Sequence, residues 1–324
     1  MIFYIKNIVY LINEFIVYDN NLLNCNKYLQ NLQLKYYNFS KKYSLLYYND
    51  TRFRENIQLC IPINKISLDL SYREITNFNI LKNLRKLDLS YCIKINNVSI
   101  LANIHTLNLS GCEQITDVSM LCNVRMLNLS KCKKITDVSM LGNVHTLDLS
   151  WCYGITDVSM LGKVYSLSLY GCKITDVSML GDVHTLNLSN CKEISDITML
   201  GRNHTLNLYN CNKITDISKL HNLHTLNLSC CNQITDVSML NKLYSLNLSF
   251  CNRITDISML GNLHMLNLSC CEQITNVSML GKLHTLILYG CTKITDVSML
   301  YNVHILILAN CNQIDISMFD NVIR

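Results

Sequence analysis

The chain has 324 residues, 49% of them hydrophobic and 16% charged, with a net charge of +5. That composition excludes a disordered tail, and so mild a positive balance gives no case for a nucleic-acid partner. One proline and ten glycines leave little material for flexible linkers. No run of about 18 apolar residues is free of charge, so no membrane span is expected.

Residues 1–61 carry no repeat and are expected to form a small helical N-terminal region. Ile5, Ile8, Val9, Ile12, Phe15 and Ile16 recur at helical spacing. The surrounding run, "MIFYIKNIVYLINEFIVY", is broken by Lys6, Asn7, Asn13 and Glu14 and lacks the small-residue cleavage site of a secretory signal. It reads as a buried or partner-facing helix. A second helical stretch is expected at "NLLNCNKYLQNLQLKYY", residues 21–37. Within it "LLNCNKYLQNL" resembles the second half of an F-box, the helical module that docks on the Skp-type adaptor of cullin ubiquitin ligases. The resemblance implies adaptor contacts at Leu22, Leu23, Cys25, Lys27 and Leu32. The usual Leu-Pro opening is absent, and no tryptophan follows the Cys-x-Lys. The other role open to residues 1–61 is a cap over the exposed end of an apolar core, and the two roles are compatible.

Pro62 marks the border with a region, residues 62–324, that says one sentence again and again. Leucine pairs of the form L-x-L stand at 68/70, 87/89, 107/109, 127/129, 147/149, 167/169, 186/188, 206/208, 226/228, 246/248, 266/268, 286/288 and 306/308. The step is 20 residues, shortened to 19 from 68 to 87 and from 167 to 186. In "HTLNLSGC", Leu107 and Leu109 alternate with Thr106, Asn108 and Ser110, the period of two of a half-buried strand. Ile104, Leu107, Leu109, Cys112, Ile115, Val118 and Leu121 are expected to point inward. No single coil can bury that set alone, so each depends on its neighbours.

The pattern L-x-x-I/V/L-x-x-L-x-L-x-x-C-x-x-I resembles the leucine-rich repeat over about four fifths of the chain. Cysteine followed by "ITD" looks like the subtype found in F-box proteins, and "ITDVSML" resembles the short repeats of bacterial internalins. The Asn-, Ile-, Lys- and Tyr-heavy composition fits an AT-rich genome, and the repeats resemble families found in giant DNA viruses of amoebae. The resemblance implies an α/β solenoid of about thirteen coils, with a parallel β-sheet on a concave face and short helical turns on the convex one. It also implies a partner protein on the concave face.

Of the seventeen cysteines, twelve are locked to the repeat: Cys92, Cys112, Cys132, Cys152, Cys172, Cys191, Cys211, Cys231, Cys251, Cys271, Cys291 and Cys311. A residue needed once per coil is expected to pack, and cysteine packs as a small hydrophobe with a weak S–H donor. Stacked strands bring such Cα atoms within disulfide range, but parallel side-chain directions and a reducing compartment oppose bridging. Six Asn-Leu-Ser triplets, at Asn108, Asn128, Asn187, Asn227, Asn247 and Asn267, would be glycosylation acceptors along a secretory route. An intracellular, cytoplasmic location is the simpler expectation.

Asp117, Asp137, Asp157, Asp176, Asp196, Asp216, Asp236, Asp256 and Asp296 form a second column, expected to cap the turn that follows. Asn77, Asn97 and Asn276 take its place elsewhere, which argues for capping over calcium. Eight of the nine histidines form a third column at the strand entrance, where Arg85, Arg125, Tyr165 and Tyr244 also stand. Arginine rungs argue against a metal ladder. Acid is expected to load this column with like charges and loosen the solenoid.

No Gly-rich phosphate loop, C-x-x-C pair or H-E-x-x-H is present, so no enzyme, catalytic residue, metal or cofactor is expected. A partner would be read by the variable positions of the strand face. The candidates are Tyr91, Lys131, Lys133, Lys134, Trp151, Tyr153, Tyr170, Tyr209, Phe250, Arg253 and Tyr289, because aromatics and arginine anchor interfaces and the lysines form a basic spot. Repeat drift without selection is the competing reading of the same variation. Two functions stay open: a substrate receptor of a cullin-type ligase, or a plain interaction scaffold or competitor whose residues 1–61 serve only as a cap.

Overall fold

The computed structural model describes residues 36–311 and 322–323. The five adaptor-contact candidates, Leu22 to Leu32, and the helix expected at residues 5–16 lie outside the described residues. The chain divides into two compact units, Met1–Asp148 and Leu149–Arg324.

In the first unit a short strand β1 (Tyr37–Asn38) precedes helices α1 (Lys41–Asn49) and α2 (Thr51–Cys60). The end of the stretch expected to be helical, at Tyr37, is therefore strand: β1 pairs in parallel with β2 (Ile66–Asp69), Tyr37 opposite Ile66. Asp50 ends α1 and starts α2, its Oδ1 accepting the Phe53 N–H at 2.9 Å. Arg54 reaches back to donate to the carbonyls of Tyr47 and Tyr48, which α1 leaves open at its C-terminus. Tyr47, Phe53 and Ile57 are buried. Two side chains tie α1 to the first coil: Ser44 Oγ accepts the Asp69 N–H, and Tyr48 Oη accepts the N–H groups of Thr76 and Asn77. These residues cover the first coil, as a cap must.

The thirteen L-x-L pairs become thirteen parallel coil strands. Five lie in the first unit: β2, β3 (Lys86–Asp88), β4 (Thr106–Asn108), β5 (Met126–Asn128) and β6 (Thr146–Asp148). Eight lie in the second: β7 (Ser166–Ser168), β8 (Thr185–Asn187), β9 (Thr205–Asn207), β10 (Thr225–Asn227), β11 (Ser245–Asn247), β12 (Met265–Asn267), β13 (Thr285–Ile287) and β14 (Ile305–Ile307). Pairing is leucine on leucine within each unit, for example Leu107 on Leu127 and Leu226 on Leu246. One more strand, β15 (Val322–Ile323), pairs with β14 through Leu306 and Ile307.

Both 19-residue steps keep this register, Leu68 opposite Leu87 and Leu167 opposite Leu186. The missing residue is absorbed between the strand and the next buried isoleucine. In 20-residue coils that isoleucine donates its N–H back to the cysteine carbonyl, as Ile115 does to Cys112 at 3.2 Å. In the second short coil only Lys173 separates Cys172 from Ile174, yet both side chains are buried. A surface turn is where a deletion costs least.

Ile104, Leu107, Leu109, Cys112, Ile115, Val118 and Leu121 are all at most 2% exposed, as expected. The helical turns are 3-10 segments such as Ser119–Asn123 and Ser258–Asn262. Each aspartate of the capping column accepts the N–H two residues on, as Asp117 does from Ser119 at 2.9 Å. Asn97 and Asn276 do the same for Ser99 and Ser278. The donated N–H and the serine hydroxyl hold Asp117, Asp137, Asp176, Asp236 and Asp256 below the ordinary carboxylate range. Among the described residues no helix is long and apolar enough to cross a membrane.

The repeated cysteines are buried except for the half-buried Cys311, and within each unit their Sγ atoms donate to the carbonyl of the strand-end leucine one coil earlier. Cys112 reaches Leu89 at 3.2 Å and Cys132 reaches Leu109 at 3.2 Å in the first unit. Cys191 reaches Leu169 at 3.1 Å and Cys251 reaches Leu228 at 3.1 Å in the second. Burial pushes the thiols of Cys112, Cys132, Cys211 and Cys251 up to about 12. They are therefore neutral, packed and poor nucleophiles.

One core position breaks the pattern. Asn203 occupies a column that otherwise holds Val, Leu or Ile, is 2% exposed, and leaves its Oδ1 without a partner. Its Nδ2 donates to the carbonyls of Leu180, Gly181 and Val183. Coils with Leu223 or Leu243 at this site do without such bonds, and a buried orphan acceptor costs about 1–3 kcal/mol. Asn203→Leu is expected to raise stability by about 1 kcal/mol in urea unfolding; a lower midpoint would mean that the hydrogen bonds made by Nδ2 outweigh the orphan oxygen.

Candidate functional site

The sheet face is edged by a turn that sequence periodicity alone does not reveal. The residue after each strand serine or its substitute has a left-handed backbone in all thirteen coils: Tyr72, Tyr91, Gly111, Lys131, Trp151, Gly171, Asn190, Asn210, Cys230, Phe250, Cys270, Gly290 and Asn310 have φ between 56° and 73°. Glycine and asparagine fill six of these positions, which is the signal that could have exposed the turn, since they enter this region at least cost. A bulky side chain there costs about 1–2 kcal/mol. Tyr91, Trp151 and Phe250 are thus held at a strained position.

In the first unit the strain is partly offset by contacts within the chain. Tyr91 stacks on Tyr72, ring centroids 4.8 Å apart and 7° from parallel. Tyr72 is 66% exposed and belongs to the same aromatic patch, although the repeat-locked cysteine that flags the column is missing from its coil. The Tyr91 ring lies over Gly111, where a Cβ would stand 2.7 Å from Cδ1. Two coils away, Lys131 donates to the Tyr91 hydroxyl at 2.9 Å. Lys133 pairs with Glu113 at 2.7 Å and Lys134 donates to Gln114 at 2.6 Å. The expected basic spot therefore carries less free charge than its three lysines suggest.

In the second unit Trp151 meets Tyr153 at 6.0 Å and Tyr170 at 4.8 Å, both edge-on at 71°. Lys173 sits 5.7 Å above the Tyr153 ring. The indole covers Gly171, whose Cβ would fall 2.6 Å from Trp151 Cε3. Tyr209, Phe250 and Tyr289 stand further along at 37%, 49% and 44% exposure. Asn310 donates to the Tyr289 hydroxyl at 2.7 Å, and Arg253 donates to Gln233 at 2.7 Å. The second unit thus brings Trp151, Tyr153 and Tyr170 together and leaves Tyr209, Phe250, Arg253 and Tyr289 spread along its strands.

At the opposite end of the strands the rings of Tyr165, His184, His204, His224, Tyr244, His264, His284 and His304 form a continuous stack, centroids 4.4–4.8 Å apart. All but the last contact lie within 18° of parallel. Parallel rings cannot converge on one ion, and among the described residues no three His, Cys, Asp or Glu side chains are grouped as metal ligands.

Two profiles identify the repeat. A leucine-rich-repeat profile of two copies matches residues 221–262, and a single-repeat profile matches residues 101–122. The chain is a leucine-rich-repeat protein. Its fold is similar to the internalin InlF of Listeria monocytogenes, 25% identical, covering 82% of this chain and 90% of that one with a TM-score of 0.62. The leucine-rich-repeat protein LIC12759 of Leptospira interrogans is 20% identical over 90% of this chain and 93% of that one, with a TM-score of 0.56. The functional domain of InlJ from Listeria monocytogenes, which includes a cysteine ladder, is 24% identical over 75% of this chain and 56% of that one, TM-score 0.51. No curated protein matches the sequence.

Two expectations follow. Gly171→Ala places a Cβ at φ +69° and against the indole; it is expected to cost about 1–2 kcal/mol and to shift the emission of Trp151, the single tryptophan. Unchanged emission and midpoint would show that the aromatic–glycine fit has no weight. Separately, His284 titrates below its ordinary range, because it loses hydration and because His264 and His304 add like charge. A base with a depressed folded pKa binds more protons when unfolded. Its stability is full above the unfolded value of about 6.5 and is lost as pH falls through the folded one. The melting temperature is expected to fall between about pH 7.5 and 5.5, and a flat profile would refute the expectation.

Proposed function

We propose that the protein is a non-catalytic interaction module that grips a partner protein on the exposed face of its sheet. The observation that carries this reading is Phe250. Its ring is 49% exposed at φ +61°, in a column that takes asparagine three times and glycine three times. Folding alone favours the smaller residues there, and strain held at an exposed aromatic is characteristic of a functional surface. Trp151, Tyr153 and Tyr170 supply a second anchor group, and Tyr209 and Tyr289 extend the surface along the strands.

The ubiquitin-ligase link rests on Leu22, Leu23, Cys25, Lys27 and Leu32 and on sequence resemblance alone. Residues 36–61 cover the first coil in either case. A cytoplasmic, reducing location fits the reading, since oxidation of the ladder would remove its S–H bonds to carbonyls.

Affinity capture from the cytosol of the source cells, followed by mass spectrometry, tests both parts. Phe250→Asn is expected to abolish capture of the partner while leaving stability unchanged or raising it by about 1 kcal/mol. Capture undiminished by Phe250→Asn would point to drift. A Skp-type adaptor that co-purifies, and is lost in Leu22→Asp/Leu23→Asp, supports the ligase link; a partner captured without adaptor supports the plain scaffold.

A further inference from the structure

The stacked rings of the second unit border a groove of about 560 Å³, lined by Arg202, His204, His224, Lys242, Tyr244 and His264 among others. Nδ1 of His184, His204, His224 and His284 lies 3.1–3.2 Å from the hydroxyl of the threonine that follows each ring. That contact orients the ring and leaves Nε2 as the nitrogen available to an outside acceptor. The ring faces are consumed by one another, so a base or other aromatic ligand has no face to stack on.

Charge along the edge is mostly positive. Two residues ahead of the rings the column holds Lys163, Asp182, Arg202, Lys242 and Lys282, all exposed. Asp182, its single acid, pairs with Arg202 at 3.1 Å. No carboxylate lines the groove, and no carboxylate contributes to the shift of His284.

We propose that this edge binds an extended phosphate chain, held by Arg202, Lys242, the outer nitrogens of His204 and His224, and the imidazole of His264. A ligand that lies along the stack meets a ring every 4.4–4.7 Å: imidazoles at His204, His224 and His264, with the Tyr244 phenol between the last two. An extended acidic peptide returns a side chain to one face only about every 6.6–6.8 Å, which misses this repeat. A phosphate chain carries charge at every unit. Its negative charge beside an imidazole favours the protonated form, so binding and proton uptake support each other. The site is separate from the turn edge of the sheet and does not rest on the reading of Phe250.

The test uses the full chain, with sodium polyphosphate, a labelled single-stranded oligothymidylate and poly-glutamate as probes in low salt. Polyphosphate is expected to bind about tenfold tighter near pH 6.0 than near 7.5. Arg202→Gln/Lys242→Gln is expected to weaken it about tenfold and to lower the salt dependence. His204→Gln/His224→Gln/His264→Gln should remove the pH gain; these rings are exposed or half-buried, and a melting curve near pH 7.5 confirms that the variant folds. Oligothymidylate binding as well marks a phosphodiester backbone as a source, and polyphosphate alone marks the free polymer; both outcomes support the proposal. Binding indifferent to these substitutions or to pH, equal binding of poly-glutamate, or oligothymidylate binding without polyphosphate overturns it.

Discussion

In-register parallel pairing is the constraint on which the molecule depends. Leucine opposes leucine from one coil to the next within each unit, so every position of the repeat becomes a column of like residues about one strand spacing apart. A side chain in such a column meets chiefly copies of itself. It must therefore be a residue that tolerates its own kind as a neighbour. Leucine and isoleucine satisfy this by packing. Cysteine does so by turning its S–H onto a backbone carbonyl of the preceding coil, so that adjacent sulfurs need not interact. Aspartate does so by binding a backbone N–H of its own turn, which disperses charge that the column would otherwise accumulate. Histidine does so by stacking ring on ring.

Much of this was legible before any coordinates. The L-x-L spacing gave thirteen strands, the inward set from Ile104 to Leu121 is buried, and the aspartate column caps the turns with asparagine as its equivalent. These features share one cause: each is decided within a coil or by the neighbouring copy, and periodicity reports such contacts directly. The two 19-residue coils were visible as well, and the structure adds why they are harmless. Their deletions fall in the turn after the strand, where the backbone gives up one hydrogen bond and no buried side chain moves out of its column.

What was not legible depends on backbone conformation or on contacts that skip copies. The left-handed turn is announced only by the mixture of glycine and asparagine with bulky residues. That mixture reads as surface variation until the dihedral angle is known. Tyr91 and Lys131 meet across 40 residues and Tyr91 covers Gly111 across 20, so part of the variation first assigned to a partner is complementarity within the chain. The histidine column was read as a row of separate titrating groups. Its continuity as a stack, with Nδ1 spent on threonine at His184, His204, His224 and His284, is a matter of ring orientation, which spacing cannot supply. At the N-terminal side the strand at Tyr37 was hidden in a run whose leucine spacing imitates a helix, and pairing with Ile66 decided otherwise.

The two edges of the sheet answer the same constraint in opposite ways, and that contrast separates structural from functional variation. At the strand entrance of the second unit the column is nearly uniform in shape, planar rings throughout, and uniformity is what allows a stack to run without interruption. At the turn edge the column is irregular because large residues need small ones beside them: Tyr91 lies over Gly111, and Trp151 over Gly171. Irregularity there is partly a packing rule, so a bulky residue with a glycine beneath it is weak testimony to a partner. Phe250 is followed one coil later by Cys270, and its ring stays 49% exposed. Such a residue bears the cost of a left-handed backbone without the compensating fit that Tyr91 and Trp151 obtain, and it marks the surface more clearly than the larger aromatic cluster does.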